Sequence, residues 1–191
     1  MKHNENIAVL FGIVLFFTTF LWTYVDLTQS RAEKLQRDRS NKFKEILLTS
    51  DAFANESTIP MEFTCDGENI NPPLTISNIP KDTKSMALLV EDPDAPNGLF
   101  VHWVLWNIQP STIHIEKNSS PDKAIVGINS ENTKSYKGPC PEQGTHRYYF
   151  RIYALRDQML PADNGSRDEL LSALNGRIIS EASIIGIYTR K

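Results

Sequence analysis

Asp92, His102 and His146 each stand at one end of a short segment in which apolar residues alternate. The alternate residues predicted to share a strand face with them are Met86, Leu88 and Val90, then Val104, Trp106 and Ile108, then Tyr148, Phe150 and Ile152. If these three strand ends converge, they form a polar pocket above an apolar floor. Such a pocket is typical of a small-molecule binding site.

Two imidazoles and a carboxylate suit two kinds of chemistry. An imidazole donates hydrogen bonds and becomes a cation when it is protonated, and a carboxylate orients an imidazole or pairs with a ligand amine. This set fits a ligand that carries both an anion and an amine, as an ethanolamine phosphate does. The same groups could instead hold a metal ion with open positions, as in a hydrolase or an oxygenase.

The spacing of the reactive residues favours binding over catalysis. No H-x-x-x-H, HExxH or G-x-S-x-G pattern occurs in the chain. Cys140 stands between Pro139 and Pro141 and has Cys65 as a disulfide candidate, which argues against a nucleophilic thiolate. We therefore predict a non-catalytic binding or regulatory module without a cofactor or metal. A metal-dependent or other hydrolytic enzyme that uses the two histidines and Asp92 is the alternative.

The charge of the chain is unevenly distributed. The chain has 191 residues and a formal net charge of −3, but residues 1–44 carry 7 basic and 4 acidic side chains while residues 45–191 carry 13 and 19. Binding of DNA or RNA depends on clustered Lys and Arg that neutralise phosphates. The acidic balance of residues 45–191 therefore argues against a nucleic acid partner.

Short apolar runs separated by turn signals predict the elements that must position these residues. The predicted strands are 45–49, 73–77, 85–91, 101–108, 147–155 and 182–189. This rhythm favours a β-sandwich or barrel over alternating β and α elements. Ser166 and Glu169 form a capping-box pattern that predicts one helix, which ends before Gly176.

Residues 7–25 form a run of nineteen residues without a charge. About 20 such residues span a bilayer as a helix. A cleaved signal peptide is the alternative, but the run is long and no A-x-A site follows it. We predict a single-pass membrane protein with an N-terminal tail (1–6), a transmembrane anchor (7–25), a polar helical stalk (26–44) and one domain (45–191).

Two features of the chain disagree about the side of the membrane. Lys and Arg accumulate in residues 31–44, which the positive-inside rule assigns to the cytoplasm. Cys65 and Cys140 are the only cysteines and lie in turn-rich segments, which predicts a disulfide and an exported domain. We favour the extracytoplasmic side, and two free thiols in a cytoplasmic domain are the alternative.

Three motifs occur in order along residues 45–191. They are FTCDGENINPPL at 63–74, DPDAP at 92–96 followed by HWV at 102–104, and GPCP at 138–141 followed by HRYYF at 146–150. Together they resemble the phosphatidylethanolamine-binding protein (PEBP) family, in its prokaryotic Raf-kinase-inhibitor-like branch. The resemblance implies a mainly β fold, an antiparallel β-sandwich with Greek-key connections and a few short helices.

The resemblance also implies a pocket for a phosphate-bearing small molecule or a phospholipid head group. The pocket residues carried over by motif are Asp92, Asp94, His102, Gly138, Pro139, His146 and Tyr148. A protein partner is a further implied possibility, and inhibition of a protease or a kinase would follow from family analogy alone. The chain departs from the family pattern at Ile76, at Glu142 and in the glycine-free stretch 129–135, and Glu142 adds a negative charge near the anion site.

Local chemistry gives each pocket residue an expected role. Pro93 and Pro96 restrict the backbone before them, so we expect an extended loop in which Asp92 and Asp94 point the same way. Gly138 permits a turn whose N–H groups form a nest for an anion.

Overall fold

The computed structural model describes residues 26–36, 45–161 and 164–190. Residues 26–36 form helix α1, whose side chains are all exposed. This helix covers the first part of the predicted stalk. The rest of the stalk, the tail and the uncharged run 7–25 lie outside the described residues.

No helix within the described ranges is long and apolar enough to cross a membrane. Helix α1 extends only about 17 Å at 1.5 Å per residue, and it includes charged residues such as Asp26, Arg31 and Lys34. The hydrocarbon core of a bilayer is about 30 Å thick. The predicted localisation as a single-pass membrane protein is corrected by this finding, and we do not retain it.

Residues 45–190 form two β-sheets and one α-helix. The strands are β1 (Leu47–Thr49), β2 (Ser57–Thr58), β3 (Leu74–Ser77), β4 (Ser85–Asp92), β5 (Phe100–Ile108), β6 (His114–Ile115), β7 (Ile125–Val126), β8 (Thr145–Leu155) and β9 (Ile178–Thr189). Helix α2 covers Arg167–Leu174, and Met61–Phe63 form a 3₁₀ turn. The small sheet has the order β1-β3-β6, and the large sheet has the order β2-β9-β8-β4-β5-β7.

The large sheet buries apolar side chains on both faces. On one face Leu88, Phe150 and Ile152 pack with Leu74 and Ile76 of the small sheet. On the other face the large sheet packs against α2. The predicted mainly β fold is confirmed, and each predicted strand is present. One pair departs from the antiparallel prediction, since β2 pairs with β9 in parallel.

Helix α2 begins where the capping box predicts. The Ser166 side chain accepts a hydrogen bond from the Glu169 amide, and the Glu169 side chain accepts one from the Ser166 amide. These two bonds satisfy amides that the first helical turn leaves without partners. Leu170 and Leu174 then face the large sheet and are buried.

Strand β5 contains an extra residue at His102. Val90 pairs with Trp103, while Glu91 pairs with Val101, so His102 has no residue opposite it. A bulge of this kind shifts the alternation of side chains by one position. Trp103 therefore packs between the sheets, whereas Val104 packs under α2.

The bulge overturns one predicted strand face. Val104 and Trp106 face α2, so they do not share a face with His102. A second register shift, between Met86 and Leu88 of β4, returns Ile108 to the face that packs against the small sheet. The faces predicted for β4 and β8 contain no such error. Trp103 and Trp106 are both fully buried.

The predicted disulfide is confirmed. Cys65 and Cys140 are bonded, with their Cα atoms 5.3 Å apart, and they are separated by 75 positions in sequence. The Cys65 amide also donates a hydrogen bond of 3.0 Å to the Pro139 carbonyl. The disulfide therefore joins the segment after the 3₁₀ turn to the segment before β8.

Loss of the disulfide should lower the free energy of unfolding by about 4 kcal/mol, because the bond closes a long loop in the unfolded chain. Chemical unfolding with and without reductant measures this difference. The double variant Cys65→Ser/Cys140→Ser is the control, and it should show no effect of reductant. Equal stability of the oxidised parent and the double variant would contradict the prediction.

Candidate ligand cleft at the strand ends

A cleft of about 570 Å³ opens where β4, β5 and β8 end. Asp92, His102, His146 and Gly138 contribute to its wall, as the sequence predicts. The remaining lining residues are Ala95, Pro96, Asn97, Gly98, Leu99, Phe100, Ser130, Glu131, Lys137, Cys140, Glu142 and Arg190.

A buried acid–base pair lies in the cleft wall. His146 Nδ1 lies 2.7 Å from Asp92 Oδ2, and both side chains are at least nine-tenths buried. Because a carboxylate only accepts hydrogen bonds, Nδ1 of His146 carries the proton in this contact. Asp92 Oδ1 accepts a second bond, of 2.8 Å, from the Asp94 amide. Asp92 thus holds the His146 ring in one orientation.

The orientation of His102 is determined by a backbone carbonyl. Nδ1 of His102 lies 2.7 Å from the Lys137 carbonyl oxygen. A carbonyl has no proton to donate, so Nδ1 is the donor and Nε2 is the acceptor of the neutral ring. Nε2 is buried and has no hydrogen-bond partner among the described residues. Burial is the main cause that lowers the pKa of His102 from 6.5 to about 4.

The loop before Lys137 uses an asparagine where the family pattern has glycines. The Asn129 carboxamide oxygen accepts bonds from the amides of Glu131 and Thr133, and its nitrogen donates to the Ser135 carbonyl. An Asn side chain that bonds nearby amides stabilises a turn without glycine. The loop then returns to β5, where the Lys137 amide donates to the His102 carbonyl at 3.0 Å.

Tyr148 forms the floor beneath the two histidines rather than part of the cleft wall. Its ring is fully buried, with its centre 5.2 Å from that of His102 and 6.4 Å from that of His146. Burial raises the pKa of the Tyr148 hydroxyl, and the Asp92 carboxylate raises it further. The Cys140 backbone near the hydroxyl opposes this rise only in part, so the pKa stays above its usual range and the hydroxyl stays protonated.

Asp94 points away from the cleft, which corrects the expectation that it would point the same way as Asp92. Both oxygens of Asp94 bind the Arg147 guanidinium, at 2.7 and 2.9 Å. The hydrogen bond from Arg147 is the main cause that lowers the pKa of Asp94 to about 2. Asp94 points away from Asp92 because residues 92–94 form a turn and are not extended. In this turn the Asp92 side chain accepts a hydrogen bond from the Asp94 amide.

Gly138 lines the cleft but does not present its amide to a ligand. The Gly138 N–H donates to the Asn69 side-chain oxygen at 2.7 Å, so the predicted anion nest does not include it. A Cβ atom at this position would lie 2.7 Å from the Phe63 carbonyl oxygen, so only glycine fits. Pro139 is absent from the cleft lining, and its carbonyl oxygen accepts a hydrogen bond from the Cys65 amide.

Sequence reasoning placed Glu142 near the cleft but missed the two cations at its edge. Lys137 pairs with Glu131 at 2.8 Å, and Arg190 pairs with Asp66 at 3.1 Å. Neither cation belongs to a motif. The β8–β9 register could have indicated Arg190, since it places Thr189 opposite Thr145, next to His146.

His114 lies apart from this site. It is exposed on β6 and bonds only to Thr75 among the described contacts, at 3.1 Å. Across the described ranges, no group of three or more His, Cys, Asp or Glu side chains is placed to hold a metal ion.

The fold defines the class of the protein, a β-sandwich of the binding-module type, and a cleft opens at its strand ends. The family model for phosphatidylethanolamine-binding protein matches residues 49–189. The chain belongs to the phosphatidylethanolamine-binding protein family and is of the prokaryotic type, as its motifs predict.

Relatives and solved structures agree with this assignment. A UPF0098 protein of Methanothermobacter thermautotrophicus is 44% identical over 149 residues, which are 75% of this chain and 98% of the relative. A crystal structure of a PEBP homologue from Chlamydia trachomatis has a TM-score of 0.74 and 35% identity, over 78% of this chain and 99% of that one. YbcL of E. coli, described as a member of the mammalian PEBP family, has a TM-score of 0.72 and 29% identity, over 77% and 99%.

Neutral His102 should make stability depend on pH. The pKa of His102 is lower in the folded state than its ordinary 6.5. The neutral ring therefore contributes fully to the free energy of unfolding above about pH 6.5, and this contribution is lost as the pH falls towards 4. The shift corresponds to a loss of about 3 kcal/mol. His102→Asn keeps a donor for the Lys137 carbonyl but does not titrate.

Denaturant unfolding at about pH 7 and about pH 4 tests this expectation. The free energy of unfolding of His102→Asn should fall less between these values than that of the parent. His114→Ala is the control and should follow the parent. Parallel curves for the parent and His102→Asn would exclude a neutral buried imidazole.

Proposed function

We propose that this chain is a non-catalytic binding module for a phosphate-bearing small molecule or head group, held in the cleft between His146 and His102. The observation that carries the proposal is the convergence of His146, Asp92 and His102 on one cleft. Asp92 fixes the His146 ring through Nδ1. Nε2 of His146 has no protein partner among the described residues. It is therefore available to a ligand, as an acceptor in the neutral ring and as a donor to a phosphate oxygen in the ring that carries both protons.

The charges of the cleft favour a ligand with both signs of charge. Arg190 and Lys137 bring two cations to the lining, while Asp92, Glu131 and Glu142 bring three carboxylates. A simple dianion would be repelled by this balance. A phosphate that also carries an amine would place the phosphate near His146 and the amine near the acidic rim. Phosphorylethanolamine has this composition.

The state of Cys140 supports binding over catalysis. Cys140 is the one residue of the lining that sequence analysis weighed as a nucleophile, and its sulfur is bonded to Cys65. A disulfide sulfur is not a thiolate and does not attack a substrate as one. Ser130 also lines the cleft, but its hydroxyl accepts a bond from the Val101 amide.

His146→Asn should weaken the binding of phosphorylethanolamine tenfold or more, because the loss of a hydrogen bond to a charged group costs about 1.5–3 kcal/mol. The asparagine amide keeps a donor for Asp92 but has no counterpart of Nε2. Isothermal titration calorimetry of the parent and the variant measures the change. Thermal unfolding of both proteins verifies that the variant is folded.

His114→Ala is the matched control, since this histidine is exposed and lies on the small sheet. It should bind like the parent. A folded His146→Asn protein that binds as tightly as the parent would remove His146 from the site. Absence of binding by the parent to both phosphate and phosphorylethanolamine would overturn the proposed function.

A further inference from the structure

The cleft contains a hydrogen-bond acceptor that a fully deprotonated anion does not satisfy. Nδ1 of His102 donates to the Lys137 carbonyl, so Nε2 carries a lone pair and no proton. His102 belongs to the cleft wall and is only 4% exposed, and its Nε2 atom is without a partner among the described residues. A buried acceptor of this kind favours a group that brings a hydrogen.

The surroundings of His102 keep its ring neutral. Three charged groups face the ring, namely the carboxylates of Asp92 and Glu131 and the ammonium of Lys137. The carboxylates favour a protonated ring and the ammonium opposes it, while burial outweighs all of them. The centres of the Phe100 and Tyr148 rings lie 4.7 and 5.2 Å from that of His102, and these contacts contribute to its burial.

We propose that the cleft selects oxyanions that still carry a proton, so that the monoanion of a phosphate monoester donates its P–OH hydrogen to Nε2 of His102. This inference rests on the proposed function, since it concerns the same cleft. The remaining phosphate oxygens then accept hydrogen bonds from the Lys137 and Arg190 side chains of the lining, and from Nε2 of His146 when that ring carries both of its protons. A single negative charge also suits a cleft whose lining carries three carboxylates and two cations.

The proposal separates two sources of phosphate. A free phosphate monoester has a second pKa of about 6, so it is largely a protonated monoanion in mildly acidic solution. The phosphate of a phospholipid is a diester, which has one negative charge and no P–OH. Sulfate esters also have one charge and no proton. If either of these occupied the site, an anionic oxygen would face the lone pair of Nε2.

A comparison of three ligands with equal charge tests the selection. At about pH 5, methyl phosphate is mainly a monoanion with a P–OH group, whereas dimethyl phosphate and methyl sulfate are monoanions without one. Calorimetric titration should show methyl phosphate binding about tenfold or more tightly than either of the others, since an unsatisfied buried acceptor opposes both. Use of a single pH keeps the charge of the protein constant across the three ligands.

The variant His102→Asn assigns the selection to Nε2. Its amide nitrogen can still donate to the Lys137 carbonyl, but it has no acceptor at the position of Nε2. In this variant the affinity for methyl phosphate divided by that for dimethyl phosphate should therefore fall to about one. The change should come from dimethyl phosphate, which should bind more tightly relative to methyl phosphate than it does in the parent. His114→Ala should keep the ratio of the parent.

Each outcome separates the inference from the proposed function. If the parent binds none of the three ligands but binds phosphorylethanolamine, the inference fails and the proposed function stands. If it binds neither these ligands nor phosphate nor phosphorylethanolamine, both fail. If the parent binds all three equally, the cleft is an anion site without proton selection, and the inference alone fails. A preference that persists in folded His102→Asn also overturns the inference. Should His102→Asn not fold, the ratio measured for the parent alone decides.

Discussion

The extra residue in β5 determines which side of the large sheet receives His102. Trp103 and Leu105 pack between the two sheets, and regular alternation from Trp103 would place His102 on the face covered by α2. The bulge opposite Glu91 instead lets His102 and Trp103 stand on the same side. His102 thereby joins Asp92 and His146 in one cleft.

The two faces of the sheet also separate its ion pairs. Glu91 and Asp92 are neighbours in β4, so their side chains lie on opposite faces. Glu91 is buried on the α2 side, where it binds Arg151 and Arg167, while Asp92 binds His146 in the cleft. Because Arg151 and Arg167 are committed to Glu91, these two cations lie outside the cleft, whose lining has Lys137 and Arg190 beside the two imidazoles.

The sequence predicted those parts of the molecule that depend on local pattern. Alternation in β4 and β8 placed Asp92 and His146 correctly, because neither residue lies at a register shift. It placed Val104 and Trp106 wrongly, since a bulge arises from how β4 and β5 pack and has no signature in one strand. Asp94 was misplaced for a similar reason, because two prolines predict a stiff segment but not the turn that the Asp92 side chain closes.

The commitment of the Gly138 amide explains how the cleft differs from the anion nest that the sequence predicts. An anion nest needs free backbone amides, yet the Gly138 amide is bonded to Asn69 and Pro139 has none. The disulfide at Cys65 and the close approach of Gly138 to Phe63 hold the two segments at this spacing. Donors must therefore come from side chains, and His102, with Nδ1 committed to a carbonyl, offers only an acceptor. The same contacts that hold the cleft in shape thus require its ligand to supply a hydrogen.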